Sequence, residues 1–478
     1  MSSPAAAPTQ QPLSQRLSAA DAAFLYFEKP NEPLHVGSCF IYDGYISKAE
    51  LVQVLRERLH LLPRYRQKVM FPPLRIAHPI WQDDPAFHIE RHIEEVDLPA
   101  PGDDRVLSEF GGKIYAPPLD RAHPLWKMII LRGRADGTTP IIWKVHHAMV
   151  DGVSGVDLMT ITHDNSPQSS PPSSPPQSWQ PQPLPDMTSQ LRAALNDRLT
   201  ETIRSWTDSV QWLQPSQAAQ ALQGSSQALL SFMQTLPSLS RPIPTTPFNK
   251  TLSSSRQFIW VDFPFADIRA VRTSLGGTVN DVVLTIIAGG LGKYLRSQQY
   301  STTNRVLRTM CPVSMRQEDE QGSLGNRVSM LLAPLFIDEQ DPLKRYAAQR
   351  AAVDQIKEQN QAGFLYDLLN RFGWIPPVWQ IIAGQLPAAN LVLNTVTTNV
   401  PGPQTPLYLA GHELLALRPI GLLSAGIGLF NAIVSYHQTL VIGGTVDPSL
   451  VSDPWSYATC LQDSFDELLT ATQAKEEN

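Results

Sequence analysis

The chain has only three cysteines among 478 residues, Cys39, Cys311 and Cys460, and they lie far apart. No CxxC pair occurs, which excludes a disulfide framework or a cysteine zinc site and fits a reduced compartment. Charge is also sparse, at 17% of residues, and 44 acidic against 38 basic side chains give a formal net charge of −6. With no block of Lys and Arg to track a phosphate backbone, a nucleic-acid partner is not expected. A GxSxG elbow is missing, because Ser154 sits in Gly152-Val153-Ser154-Gly155 at the wrong spacing. Neither a phosphate loop nor a dinucleotide fingerprint is found. Residues 1–12 are small and polar, lack the basic-then-apolar order of a signal peptide, and are expected to be disordered. One uncharged stretch, Pro419 to Tyr436, approaches the length of a membrane span. Gly421, Ser424, Gly426, Gly428 and Asn431 interrupt it, and a buried turn leading to a strand at Ala432–Tyr436 is expected instead.

What is present is a 42% hydrophobic chain longer than one typical domain, enough for two lobes with sizeable cores. Ser166 to Pro185 is almost entirely Ser, Pro and Gln and reads as an exposed linker. Beyond it, Leu191, Leu195, Leu199, Ile203, Trp206, Val210 and Leu213 recur at helical spacing, forming one apolar stripe. That helix is expected to pack across the two lobes, with an interfacial surface as the alternative. A second helix is expected over Ser216–Leu236, and prolines 237, 242, 244 and 247 close the region.

The resulting division has four parts. They are the 1–12 terminus, an N-terminal lobe at 13–163, a linker and helical connector at 164–250, and a C-terminal lobe at 251–478. Helices at Leu51–Leu61 and Val279–Leu295 interleave with strands at Pro140–Val145, Phe258–Val261, Leu391–Thr398 and Leu440–Val446. The class is therefore α/β.

The chemistry concentrates at Ile141-Ile142-Trp143-Lys144-Val145-His146-His147, an apolar strand running into two histidines, followed by Asp151 and Gly152 and a helix-like run to Thr162. Adjacent strand residues point to opposite faces, so one histidine of the pair faces a given cleft. Strand geometry does not choose between them. With no third ligand nearby, no metal site is expected. A histidine at a strand end suits acid–base work, since a rigid element fixes it while a loop gives access.

The run His146 to Gly152 matches HHxxxDG, the motif of the CoA-dependent acyltransferase superfamily, which includes chloramphenicol acetyltransferase and peptide-synthetase condensation domains. Further segments narrow the resemblance. They are Leu17–Tyr26, Pro33-Leu34-His35-Val36-Gly37, Pro63-Arg64-Tyr65-Arg66-Gln67, Pro124-Leu125-Trp126, Thr278-Val279-Asn280-Asp281-Val282-Val283, Pro312–Arg316, Gly325-Asn326, Asn399–Pro403 and Asn431–Tyr436. Together they cover nearly the whole chain, which resembles the bacterial wax ester synthase/diacylglycerol acyltransferase family. The Ser/Pro/Gln tract departs from that pattern, as does Thr398, where the family more often has Ser.

The resemblance implies two chloramphenicol-acetyltransferase-like lobes, mixed sheets flanked by helices, with the active site in a channel between them. It implies transfer of a long-chain acyl group from acyl-CoA, a co-substrate and not a bound cofactor, to diacylglycerol or a fatty alcohol. By the family pattern His147 is the general base and His146 supports it. Asp151 anchors the loop by pairing with an arginine, for which Arg66 and then Arg64 are the candidates, and Gly152 permits a tight backbone turn. Asn280, with Asp281, is the candidate contribution of the second lobe to an oxyanion or substrate site; a helix cap is the alternative role for Asn280. Pro124–Trp126 is read as packing and Asn399–Pro403 as a turn.

Two other functions fit the same motif: a condensation or polyketide-associated acyltransferase fed by a carrier protein, and a non-catalytic lipid-inclusion protein. The uncharged stretch Phe372–Gly411, with Trp374, Ile375, Val378, Trp379, Ile381 and Ile382, is read as a buried helix, with an interfacial surface as the alternative. A cytoplasmic protein attached peripherally to the inner face of the plasma membrane or to lipid inclusions is expected. The sequence carries no signal for oligomeric state.

Overall fold

The computed structural model describes residues 15–150, 155–168, 179–211, 243–314, 328–358 and 393–476. The first strands and helices are β1 (Gln15–Arg16), α1 (Ala19–Phe27), β2 (His35–Tyr42) and α2 (Lys48–Arg58). Then come β3 (Gln67–Met70), β4 (Ile80–Asp83), β5 (Ile93–Asp97), α3 (Asp104–Tyr115), β6 (Trp126–Arg132), β7 (Thr139–His146) and α4 (Gly155–Thr162). Past the Ser/Pro/Gln tract lies α5 (Met187–Gln211).

The second half runs β8 (Gln257–Pro264), α6 (Phe265–Leu275), α7 (Val279–Ser297), β9 (Leu307–Ser314), β10 (Val328–Leu335) and α8 (Pro342–Glu358). It continues through β11 (Thr395–Pro401), β12 (Tyr408–Leu409), β13 (His412–Ile420), β14 (Leu429–Tyr436), β15 (Thr439–Val446) and α9 (Pro454–Glu476).

Two six-stranded sheets organise these elements, with strand orders β12-β13-β2-β7-β6-β5 and β10-β9-β11-β14-β15-β8, beside a small sheet β1-β4-β3. Both large sheets mix parallel and antiparallel pairs. Their central strands are buried along their whole length: every residue of β7 and of β14 is inaccessible. A strand covered on both faces needs a mostly apolar run instead of alternation, which Ile141–Val145 and Leu429–Val434 supply but for the buried Lys144 and Asn431.

The sheets are not confined to their own halves of the sequence. The hairpin β12–β13 leaves the second half and pairs β13 with β2 of the first sheet, Ile420 opposite Gly37 and Arg418 opposite Cys39. A further join sets α3 against β8, where Ser108 Oγ donates to the Phe258 carbonyl. At Gly112 a side chain would collide with the Arg256 carbonyl. Arg256 Nη2 also donates to Asn31 O at 2.7 Å, and Asn31 Nδ2 donates to Leu252 O at 2.9 Å.

Several expectations change against the structure. The Asn399–Pro403 segment is no turn up to Pro401: Asn399, Val400 and Pro401 lie in β11 opposite Ile433, Val434 and Ser435. Proline is tolerated there because it is the last residue of the strand. The α5 stripe is not sealed between lobes. Ala194 is buried, but Leu195 and Leu199 are 49% and 60% exposed. The helices expected at Ser216–Leu236 and around Trp374–Ile382 lie outside the described residues, as do residues 1–12. Among the described residues no single helix is long and apolar enough to cross a membrane. The bent pair α6–α7 passes by composition alone, and α7 is the core helix of the second half, buried from Asp281 to Gly292.

Candidate active site

β7 ends at His146, and the chain turns at once into a single 3-10 turn, His147–Met149. The two histidines therefore diverge because the strand stops between them; the pleat does not continue through both. His146 has extended geometry (φ −65°, ψ 137°), and its Nδ1 accepts the Ala148 N–H at 3.1 Å, capping the turn. Two strand-like carbonyl contacts hold the backbone: His146 N–H donates to Leu125 O and His147 N–H to Leu34 O, both at 2.9 Å.

The His147 ring lies flat on Phe24 of α1, with centroids 3.9 Å apart and planes inclined by 15°. Its Nδ1 is buried with no hydrogen-bond partner among the described residues, while the residue as a whole is half-buried. Burial, reinforced by the neighbouring His146, pulls the imidazole down to about 4, and a polar contact with its own backbone carbonyl works in the opposite direction. The ring is consequently neutral at physiological pH and its lone pair is available.

Behind this face sits a set of polar groups that the sequence reading passed over. Glu28, one residue past α1, faces His146 Nε2 through Oε1 at 3.4 Å and accepts Arg121 Nη2 on Oε2 at 2.8 Å. Burial opposes ionisation of Glu28, but His146, Arg121 and the Leu34 N–H outweigh it and hold the carboxyl at about 2. His35 stands opposite His146 in the β2–β7 register and packs edge-on against Tyr115, centroids 4.5 Å apart. Lys144, on the same face of β7 as His146, donates to Tyr115 O at 2.7 Å and also to Pro117 O. Its burial lowers the ammonium to about 7. After the motif, Arg58 Nη2 meets both carboxylate oxygens of Asp164 at 2.7 Å and ties the end of α4 to α2. Of these residues, His35, Arg58 and Lys144 fall in segments already singled out, the first for its likeness to the family, the others as helix and strand positions, none with a chemical role.

The remaining expected site residues divide. Asp151 and Gly152 lie outside the described residues, and with them the partner of Asp151. Arg64 stacks over Trp81 with its guanidinium 4.6 Å from the ring centre and donates to Gln67 Oε1 at 3.1 Å. Arg66 stacks over Trp179, also at 4.6 Å. Asn280 is the second residue of α7 and half-buried; the cap is Thr278. Asp281 completes a capping box, its Oδ2 accepting Thr278 N–H at 2.8 Å and Oγ1 at 2.7 Å. The other carboxylate oxygen, Oδ1, is buried without a hydrogen-bond partner among the described residues. Leu125 and Trp126 are fully packed, and Trp126 Nε1 donates to Tyr65 O at 2.8 Å. Among the described residues no group of three or more His, Cys, Asp and Glu side chains is disposed to hold a metal ion.

The arrangement can hold a neutral imidazole at the mouth of a rigid strand and take a proton from a bound hydroxyl. Comparison with known proteins identifies the lineage. Residues 17–283 match the wax ester synthase/diacylglycerol acyltransferase catalytic domain and residues 324–469 the C-terminal domain of the same family. A relative from Mycobacterium tuberculosis H37Rv, provisionally named a diacylglycerol O-acyltransferase, is 30% identical over 96% of this chain and 98% of its own.

The fold is shared with the wax ester synthase/diacylglycerol acyltransferase of Marinobacter aquaeolei VT8, at 23% identity and a TM-score of 0.66, over 96% of this chain and 100% of that one. More distantly it is shared with the starter condensation domain of rhizomide synthetase, at 13% identity and a TM-score of 0.57, over 96% and 95% of the two chains. The chain belongs to the wax ester synthase/diacylglycerol acyltransferase family of O-acyltransferases.

Proposed function

We propose that this protein moves a long-chain fatty acyl group from acyl-CoA to the hydroxyl of diacylglycerol, a long-chain fatty alcohol, or both, with His147 as general base and no acyl-enzyme. The observation that carries the reading is the state of His147: a neutral ring stacked on Phe24 with Nδ1 enclosed, which makes Nε2 the proposed base nitrogen.

A thioester is already activated, so the enzyme's task is to make a poor alcohol nucleophile competent and to stabilise a tetrahedral oxyanion. Nε2 of His147 takes the acceptor's hydroxyl proton as its oxygen attacks the thioester carbonyl carbon. The tetrahedral intermediate collapses, the C–S bond breaks, and the imidazolium returns the proton to the departing thiolate. The desolvation that keeps the ring neutral also makes the imidazolium costly, so the charged pair forms only beside the developing oxyanion. Asn280 is the proposed donor to that oxyanion, and Asp151, paired with Arg66 or Arg64, the proposed loop anchor. Acyl-CoA enters as a co-substrate, and no bound cofactor is called for.

Such substrates reside in a bilayer or a lipid inclusion, and peripheral attachment to one of these at the cytoplasmic side is part of the proposal. The support is a row of uncovered apolar side chains: Leu184, Met187, Leu195 and Leu199 on or just before α5, with Leu74 nearby in sequence to the adjoining small sheet, 84% exposed. A panel of hexadecanol, monoacylglycerol and diacylglycerol with labelled palmitoyl-CoA as sole donor tests the reaction. Ester formation without any carrier protein is the expected result, and dependence on an acylated carrier protein would overturn it.

A further inference from the structure

We infer that Glu28 is a positioning residue that fixes the tautomer of His146 and, through it, the turn that presents His147. The inference rests on the reading of His147 as the base.

Glu28 is enclosed, with 7% of its side chain exposed. Two donors converge on it, and His146 Nε2, which makes no hydrogen bond among the described residues, stands within ion-pair distance. Leu34 N–H donates to Oε1 at 3.0 Å, His146 Nε2 faces the same oxygen at 3.4 Å, and Arg121 Nη2 donates to Oε2 at 2.8 Å. The same Arg121 nitrogen donates to Leu25 O at 2.8 Å, so the carboxylate is fastened to the last turn of α1. That helix also supplies Phe24, the floor under the His147 ring.

The hydrogen-bond inventory of His146 then leaves one arrangement. Its Nδ1 accepts the Ala148 N–H at 3.1 Å, so Nδ1 carries no proton, and the proton of the neutral ring is on Nε2, toward Glu28. An ionised carboxylate only accepts, so it suits an Nε2–H ring and repels the lone pair of the opposite tautomer. In that tautomer Nδ1–H would also oppose Ala148 N–H, leaving two buried polar groups set against each other. Glu28 thereby acts on His147 from two sides. It holds His146, which caps the 147–149 turn, and it holds Leu34, whose carbonyl accepts the His147 N–H at 2.9 Å. Among the described residues His35 and Lys144 also stand on this face; His35 packs against Tyr115, and Lys144 donates to Tyr115 O and Pro117 O.

The test uses the full chain with Glu28→Ala and Glu28→Gln, read by kinetics and by the ring 15N shifts of His146. In the unsubstituted protein the shifts should show Nε2 protonated and Nδ1 bare. Glu28→Ala should mix or invert that pattern and lower kcat by about 10- to 100-fold, the usual scale for loss of a group that orients a reacting histidine. The KM for acyl-CoA should hold, because no substrate contact is removed. Glu28→Gln, whose amide oxygen can still face Leu34 N–H and His146 Nε2–H, should restore the pattern and most of kcat.

An Nδ1-protonated His146 in the unsubstituted protein overturns the inference, and so does Glu28→Ala with unchanged ring shifts and unchanged kcat. If Glu28→Ala does not fold, the tautomer of the unsubstituted ring decides. Absence of any acyl transfer by the unsubstituted protein would count against the proposed function, while the ring shifts would still judge Glu28.

Discussion

At the scale of single residues, the account turns on how burial sets protonation. His147 is held at about 4 chiefly by desolvation, so the active neutral ring is the dominant form from well below neutrality upward. The pH profile of kcat/KM reports the free enzyme's ionisations. It should therefore lack an acid limb near 6.5 and vary by less than about twofold between pH 5.5 and 7.5. A limb centred at 6.5 would mean that the ring is solvated like a model imidazole.

The sequence made His147 legible through the spacing of HHxxxDG, but not Glu28, which lies 118 residues before His146 in a stretch without periodic or motif signal. Only the β2–β7 pairing, which sets His35 opposite His146, returns the end of α1 to the histidines. Asp281 carries a second signal, since a Thr three residues earlier spells a capping box that the segment's likeness to the family had overshadowed.

At the scale of elements, continuous apolar runs were the easiest signals to read. β7, β8, α7 and β15 lie where their composition placed them, within a few residues. Asn399–Pro401 was misread because Pro and Asn favour turns, and a parallel partner in β14 overrode that preference. The pairing of β2 with β7 depends on a residue without a side chain: a Cβ at Gly37 would collide with the Trp143 carbonyl across the ladder. Gly37→Ala should destabilise the fold by about 1–3 kcal/mol, the usual cost of overpacking, as measured by urea unfolding. An unchanged midpoint would show that the strands can part there without loss.

The stripe on α5 was legible as a helix, but its burial was not, since periodicity marks an apolar face without saying what covers it. If that face meets lipid, Leu195→Glu with Leu199→Glu should lower co-sedimentation with anionic phospholipid vesicles at least about tenfold. Equal sedimentation of the two proteins would move attachment elsewhere.

At the scale of the whole molecule, the second half of the sequence contributes strands to both large sheets. The loan of β12–β13 to the first sheet was not legible, because strand partnership across more than 370 residues, as between Tyr42 and Leu414, leaves no local pattern. Stability also has a global pH signature. His35 and His163 are buried and His147 is half-buried, and each has its ionisation pushed below 6.5, the latter two to about 4. Between pH 4 and 6.5 the unfolded chain therefore binds more protons at these sites than the folded one. Stability should fall as pH drops through that window and recover as it rises. Urea midpoints at pH 4.5, 5.5 and 6.5 should climb in that order, and a flat series would contradict the burial of these rings.

The central claim is that His147 acts directly on the acceptor hydroxyl. The most direct measurement is the turnover of His147→Ala with labelled palmitoyl-CoA and diacylglycerol or hexadecanol, alongside circular dichroism of the same sample. The account predicts a native spectrum with transfer lowered by at least about 10²-fold. Unchanged turnover in a folded His147→Ala protein would contradict it.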